Sequence, residues 1–204
     1  MSQSAKHRQR ADSLFRRRPF LRTSQALAQG ISPRTLYELR EAKRILAIGR
    51  GVYRHASLPP LTEPDLIAVA ARAPKGVICL ISALHYHGIT TQIPHAVDLA
   101  LPRGYRPPRL EHPPLRIFRF SGPAFSAGIE THTIDRVPVR ITCPEKTVAD
   151  CFKFRNKIGL DVAVEALKLC RERKKSQPSE FLLYARICRM EKVMMPYLTD
   201  MMLQ

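Results

Sequence analysis

Residues 21–54 carry the pattern that most constrains how this chain can fold, because helix-capping, turn-forming and apolar residues follow one another there in a fixed order. Thr23 and Ser32 are placed to cap two short helices, and Pro33 suits the first position of the second helix. Gly30 can make the tight turn between them. Small or apolar residues that would hold the two helices together stand at Ala26, Ile31, Leu36 and Leu39. The pattern predicts a helix-turn-helix.

A short β-hairpin is predicted directly after the second helix. Leu46–Ile48 and Val52–Arg54 are brief apolar runs on either side of the sequence Gly-Arg-Gly, which places Arg50 at the tip of the turn. Helix, turn, helix and hairpin in this order are typical of a winged helix-turn-helix, in which the second helix enters the major groove of DNA. A helix pair with a glycine turn also occurs as a plain packing unit, so the order of elements alone leaves both interpretations open.

Positive charge is concentrated in the same part of the chain. Residues 1–56 contain thirteen Lys and Arg against three Asp and Glu, which gives this segment a net charge of +10 out of +17 for the whole chain. A concentrated positive field is what binding to a phosphate backbone requires. The charge therefore favours duplex DNA as the partner. Membrane-surface binding is the weaker interpretation, because no strongly apolar helix face accompanies the basic residues.

The side chains predicted to contact DNA lie on the second helix, just after it, and on the hairpin. Helix 32–42 is expected to enter a major groove with its N-terminal residues nearest the base edges. We predict base or phosphate contacts from Ser32, Arg34, Thr35 and Tyr37, phosphate contacts from Arg40 and Arg44, and wing contacts from Arg50 and Arg54.

The organisation of the chain is predicted to be two domains of an α+β protein. Residues 57–64 hold three prolines and indicate a linker between an N-terminal winged helix-turn-helix domain, 1–56, and a C-terminal domain, 65–204. The C-terminal domain is mixed α+β with a helical end. Its predicted strands are 77–81, 96–101, 115–120, 129–134 and 137–141, and its predicted helices are 65–72, 82–88, one beginning at 144, 159–175 and 179–192.

No catalytic residue, metal site or cofactor is predicted. His85 and His87 are two residues apart and would point to different faces of a helix, whereas a helical metal pair prefers a spacing of four. Cys143 and His132 lack an orienting acid that would make them a nucleophile and its base. A restriction-type nuclease would need a Glu-x-Lys pattern after an acid such as Asp98, and the chain lacks it there.

The five cysteines are odd in number and form no Cys-x-x-Cys pair. With no apolar core in the basic N-terminal segment that would make it a secretory signal, reduced thiols and a cytoplasmic protein are expected. No apolar run approaches the ~20 residues that cross a bilayer, so no membrane partner is expected. The oligomeric state is expected to be a monomer or a weak dimer.

An arginine- and proline-rich loop at 103–109 allows two interpretations. Its arginines surround Tyr105, an arrangement that suits nucleic acid because a tyrosine ring can stack on a base. A solvated loop at the end of a strand explains the same residues. The arginines concerned are Arg103, Arg106 and Arg109.

Several segments together resemble the AbiE-type antitoxins, which are transcriptional regulators in viral defence. The resemblance covers about residues 20–155. Besides the helix-turn-helix, it rests on GRGVYRHA at the end of the wing, LISALHYHGI, VDLALPRGYR and VRITCPEKTVADCF. In the last segment Cys143 stands where an aspartate is usual in the family, and the chain beyond about residue 156 is similar to the family only in being helical.

The resemblance implies a winged-helix repressor of its own operon that binds inverted repeats in the operator. It also implies a C-terminal domain that neutralises a nucleotidyltransferase-like toxin in a type IV toxin–antitoxin system, without a stable complex between the two proteins. Three other functions stay open from the residues alone. One is a nucleic-acid-processing enzyme that a winged helix delivers to its substrate, and another is a plain winged-helix regulator without antitoxin activity. The third is an interaction module whose helical C-terminal end docks a partner.

Overall fold

The computed structural model describes residues 3–203, with the side chains of residues 7–201. Its residues form two compact units. The first runs to Pro74 and also contains Arg109–Pro113 and Thr133–Pro138, and the second contains the rest of the described chain. Both helices and two β-sheets are present, which confirms the α+β class.

The first unit contains four helices and a small antiparallel sheet. In chain order these are helix α1 (Gln3–Arg17), strand β1 (Leu21–Arg22), helices α2 (Thr23–Ala28) and α3 (Pro33–Glu41), strands β2 (Ile45–Gly49) and β3 (Val52–His55), and helix α4 (Pro64–Arg72). Strand β3 is central, with β1 on one side and β2 on the other. Its Tyr53 pairs with Leu21 of β1 and with Ala47 of β2.

The core of this unit joins α1 to the helix pair. Phe15 of α1 is fully buried with Leu21, Ala26 and Ile45. Burial of a phenylalanine side chain contributes about 1.5–3 kcal/mol, so the first helix is part of the fold rather than a charged extension. The apolar positions that the sequence assigned to the helix pair are all buried: Ala26, Ile31, Leu36 and Leu39.

The turn between α2 and α3 is built as the sequence predicted, except at its first cap. Gly30 has φ +78°, a left-handed conformation that suits glycine. Ser32 caps α3, and its Oγ accepts a hydrogen bond from the Thr35 backbone N–H at 3.1 Å. Thr23, however, is the first residue of α2 and not its cap. Its backbone N–H donates to the Gly51 carbonyl at 2.8 Å, so Thr23 fastens the helix to the hairpin turn.

The first unit extends past residue 56, where the sequence placed the end of the first domain. Helix α4 lies within it, because the Arg22 Nε donates to the Ala71 carbonyl at 2.7 Å. Thr62 also donates its backbone N–H to the Asp135 carboxylate at 2.8 Å. Residues 57–64 therefore connect two parts of one compact unit, a role that their prolines did not indicate.

The second unit is built on a mixed five-stranded sheet of order β6-β5-β4-β8-β7. Its strands are β4 (Val77–Ile78), β5 (Val97–Pro102), β6 (Leu115–Phe120), β7 (Ile129–Ile134) and β8 (Val137–Thr142); the tip of the β7–β8 hairpin is counted with the first unit. Its helices are α5 (Leu80–His87), α6 (Pro123–Ser126), α7 (Pro144–Lys153), α8 (Arg155–Ile158), α9 (Leu160–Lys174), α10 (Pro178–Cys188) and α11 (Glu191–Leu203). Phe152, Phe181 and Leu84 are fully buried in its core.

The strand predicted over 77–81 is wrong in its second half. The strand ends at Ile78, and helix α5 begins at Leu80, not after a cap at Ser82. Leu80 has φ +46°, which breaks the extended conformation. The buried carboxylate of Asp98 accepts the backbone N–H of Ile81 at 3.0 Å, and this bond satisfies a free donor in the first turn of α5.

The helix predicted over 179–192 is two helices. Helix α10 ends at Cys188, and Arg189 adopts the left-handed conformation with φ 60° before α11 begins at Glu191. Apolar residues continue across this break, so the pattern alone did not indicate it. Among the described residues, none of the helices combines the length and the apolar character needed to cross a bilayer.

Candidate nucleic-acid interface

Helix α3 presents two large side chains on its outer surface. The Arg34 side chain is 89% exposed, and Tyr37 is 58% exposed. The Arg34 Nε donates to the Glu38 carboxylate at 3.0 Å, which is the i,i+4 pairing of a helix surface. The Arg40 guanidinium lies 5.1 Å from the centre of the Tyr37 ring and pairs with Glu41 at 3.3 Å. The predicted residues Arg34, Tyr37 and Arg40 are therefore together on one exposed helix.

Ser32 and Thr35 are hydrogen-bonded to each other at the start of α3. Their hydroxyl oxygens are 2.9 Å apart, and Ser32 also accepts the Thr35 backbone N–H. Ser32 is exposed and Thr35 is half-buried. Because the cap occupies their hydroxyls, a contact with DNA would have to share or replace these bonds.

Arg50 stands at the tip of the β2–β3 hairpin and is exposed. It has no ion-pair or hydrogen-bond partner among the described residues. Gly51, which follows it, has φ +67°, and a Cβ at this position would lie 3.1 Å from the Thr23 hydroxyl. Glycine therefore permits both the turn and the close approach of α2, and it leaves the arginine pointing away from the unit's core.

Arg54 does not lie on the hairpin surface, so its predicted wing contact is wrong. Only 8% of the residue is exposed. Its Nη2 donates to the Pro59 carbonyl at 2.7 Å and its Nη1 to the Leu58 carbonyl at 3.4 Å. The side chain folds back onto the proline-rich segment that follows β3. There it supplies hydrogen-bond donors to carbonyls of that segment.

Arg44 is paired with an acidic residue of α1. Its Nε and Nη2 donate to the two oxygens of Asp12 at 3.1 and 3.0 Å. Asp12 also accepts from the buried His55 at 3.0 Å and from Arg16 at 3.0 Å. Burial raises the pKa of Asp12, but the hydrogen bond from His55 and the charge of Arg44 outweigh it, so that this pKa lies below its ordinary value. The predicted phosphate contact of Arg44 therefore competes with an ion-pair cluster.

This ion-pair cluster around Asp12 was missed from the sequence. Asp12, Arg44 and His55 come from α1, the segment after α3 and β3, and no periodicity links them. Lys43 was missed as well: it is exposed, with φ 51°, directly after α3. In the sequence, the only indication that Lys43 is an exposed basic residue of this surface is its position just past the end of α3.

The arginine-rich loop belongs partly to the second unit. Arg103 and Arg106 are exposed there. The Arg119 Nη1 donates to the carbonyls of Pro102 and Tyr105, and the Lys75 ammonium lies 5.8 Å from the centre of the Tyr105 ring. These contacts hold the loop in place and occupy one face of the tyrosine with a protein cation.

The side chains considered for catalysis, Cys143 and Asp98, lie in surroundings that do not suit a nucleophile or a metal-binding acid. Burial raises the pKa of the Cys143 thiol, the opposite of what activates a nucleophile. Asp98 is fully buried and accepts a bidentate pair from Arg116 at 2.6 and 2.8 Å. All five cysteines are buried, and none of them forms a disulfide.

A helix pair with exposed arginines, followed by a hairpin, is an arrangement found in regulators of transcription. Residues 9–55 match the family model described as "Transcriptional regulator, AbiEi antitoxin". The resemblance to AbiE-type antitoxins that the sequence predicted is therefore confirmed over this segment. The match supports a regulator and antitoxin role for the protein and does not extend to the second unit.

The fold of most of the chain is similar to a solved structure. The crystal structure of the RV2827C protein from Mycobacterium tuberculosis superposes with a TM-score of 0.61 and 15% sequence identity, over 91% of this chain and 72% of that chain. At this identity the likeness shows the fold alone. No match was found among curated protein sequences.

Proposed function

We propose that this protein is a winged-helix repressor that binds the operator of its own operon and acts as the antitoxin of a type IV toxin–antitoxin system in phage defence. In this proposal α3 is the recognition helix and the β2–β3 hairpin is the wing. The partner DNA is a duplex with inverted repeats. The toxin is a nucleotidyltransferase-like protein that forms no stable complex with the antitoxin.

The observation that carries the DNA-binding half of the proposal is the exposure of Arg34 and Arg50. The two arginines belong to one compact unit whose core fixes α3 against β2. Arg34 is nearly fully exposed, and Arg50 has no partner among the described residues. An arginine near the N-terminus of a recognition helix can reach base edges, and one at a wing tip can reach phosphate or a minor groove.

Two acidic residues refine this assignment. Glu38 and Glu41 lie on α3 beside the proposed contacts, and each is paired with an arginine. Carboxylates repel phosphates, so this helix is better suited to enter the groove than to follow the backbone. Glu38 can also orient the Arg34 guanidinium for a bidentate contact with guanine. Contacts with the DNA phosphate backbone then come from the hairpin, where Arg50 is exposed.

Titration of a promoter fragment with the full-length protein at two salt concentrations tests the electrostatic part. If about six phosphates are neutralised, affinity falls about a thousand-fold between ~50 and ~200 mM salt. A response that is flat with salt would contradict the proposal.

Arg34→Ala tests base reading by α3. Loss of one bidentate guanine contact costs about 1–3 kcal/mol and relaxes sequence preference at one operator position. Arg186→Ala is the matched control, because Arg186 is also an exposed helix arginine paired with a glutamate at 3.0 Å, but in the second unit. Equal affinity of the two variants, measured by fluorescence anisotropy, would mean that α3 does not read DNA.

Co-expression with the toxin of the neighbouring gene tests the antitoxin half. Truncation is a poor tool here, because the first unit takes in Arg109–Pro113 and Thr133–Pro138. The full-length double variant Arg34→Ala/Arg50→Ala keeps both units and should lose repression but still protect cells, if the second unit carries the antitoxin activity. Loss of protection at equal protein levels would assign that activity to DNA binding, and no toxicity from any neighbouring gene would leave a plain repressor.

A further inference from the structure

Three side chains with metal-binding atoms come together in the second unit. They are His87, at the end of α5, and Glu130 and His132, both on β7. One potential ligand atom from each lies within 4.8 Å of those of the other two. His85, two residues before His87 in the sequence, is not part of this cluster. Its Nδ1 lies 3.3 Å from the Gln92 carbonyl.

The ring of His87 is held in the way that suits a metal ligand. It is buried, and its Nε2 lies 2.7 Å from the Thr142 carbonyl. A carbonyl only accepts, so Nε2 carries the proton and the lone pair of the neutral ring is on Nδ1. Histidine ligands of metals commonly donate their other ring N–H to such a backbone carbonyl.

The other two groups are open to solvent. The side chains of His132 and Glu130 are 29% and 47% exposed, and the His132 Nε2 is 2.9 Å from a Glu130 oxygen. The Tyr86 ring packs edge-on against both histidines, with centroid distances of 5.4 and 5.0 Å. The cluster therefore has one fixed ligand, an aromatic wall, and an open side through which an ion and water can enter.

We propose that His87, Glu130 and His132 bind one divalent transition-metal ion of the zinc class, with water completing the coordination. Two imidazoles and one carboxylate are an established ligand set for zinc, and a fourth position left to solvent is usual for such sites. Calcium and magnesium prefer oxygen ligands, so neither is expected to bind here. The side chains of His132 and Glu130 are partly open to solvent, which predicts binding weaker than in a closed structural site.

The test is zinc titration of chelator-treated full-length protein by calorimetry. We expect one equivalent of zinc to bind, and His132→Ala and Glu130→Gln each to weaken it at least about ten-fold. These two residues are partly exposed, so their replacement leaves the core intact. His85→Ala is the control on the same helix as His87 and should bind zinc like the unchanged protein.

Cobalt gives a second readout that a purely structural cluster would not produce. Visible absorption of bound Co²⁺ should appear at one equivalent in the unchanged protein and in His85→Ala, and should be lost in His132→Ala. An ion held by the cysteines would instead show thiolate bands that His132→Ala leaves in place. Absence of a one-equivalent site, or equal effects of His85→Ala and His132→Ala, would overturn the proposal and leave His132 and Glu130 as a surface ion pair.

Discussion

The two units contain contrasting examples of how charged residues are used. In the first unit, the arginines of α3 and of the hairpin tip are exposed on a small apolar core. In the second unit, the Lys146 ammonium lies 2.6 Å from both oxygens of Asp150, and both side chains are buried. Exposed charge is available to a partner, whereas buried charge must be satisfied inside the protein. Charge counted along a sequence can therefore favour a class of partner, but burial decides which individual charges can reach that partner.

Arg50 and Arg54 make the same contrast within one hairpin. Only three residues lie between them, yet one stands at the exposed tip and the other donates to two carbonyls inside the unit. The same side-chain chemistry is left free for a partner in one case and is used by the fold in the other. Variants at exposed and buried charged positions test whether burial decides the role of each side chain.

Asp150→Ala should have the largest effect on stability. It leaves the Lys146 ammonium buried without its partner, which costs about 3–5 kcal/mol of unfolding free energy. Chemical denaturation measures this. The double variant Asp150→Ala/Lys146→Met removes the orphaned charge and should recover much of the loss. Equal destabilisation by the single and double variants would show that packing, and not charge, dominates at this position.

Arg54→Ala should come next. It leaves the carbonyls of Leu58 and Pro59 without their donor and costs about 1–3 kcal/mol of stability. Arg50→Ala is the matched control and should change stability by less than about 0.5 kcal/mol. Equal unfolding free energies for the two variants, from parallel denaturation curves, would contradict the structural role of Arg54.

Arg50→Ala should change DNA binding instead. If this arginine neutralises one phosphate, its loss weakens binding to most sequences about equally and reduces the salt slope by about one. Affinity titrations over a range of salt concentrations give that slope. A loss confined to one base-pair position, with the slope unchanged, would mean that the hairpin reads sequence.

Asp12→Asn should have the smallest effect, and one that depends on pH. The folded-state pKa of Asp12 lies below its ordinary value of 3.8, so its ionised form stabilises the fold above that value. The contribution is lost as pH falls through the folded-state pKa. The difference in unfolding free energy between the unchanged protein and Asp12→Asn should therefore shrink between neutral pH and about pH 3. A difference that grows on acidification would reverse the assignment.

Much of the first unit could be predicted from the sequence, because its signals are local. The cap at Ser32, the left-handed Gly30, and the spacing of Leu36 and Leu39 act within a few residues of one another. The exposure of Arg34 and Tyr37 follows from the same periodicity. Local signals, however, misplaced Arg54, because its acceptors lie on a segment whose path depends on the whole unit.

Tertiary structure alone decided which distant residues meet. Asp12 with His55, Lys146 with the Phe120 ring, and His87 with His132 are each brought together by elements far apart in the chain. Tertiary contacts also fix helix ends. The Asp98 carboxylate on β5 accepts a backbone N–H in the first turn of α5. By itself, the sequence determined the α+β class, the helix pair and its hairpin, because propensity, capping and periodicity are properties of neighbouring residues. Burial of a charge and the assembly of a site depend on packing between remote segments, which no local pattern records.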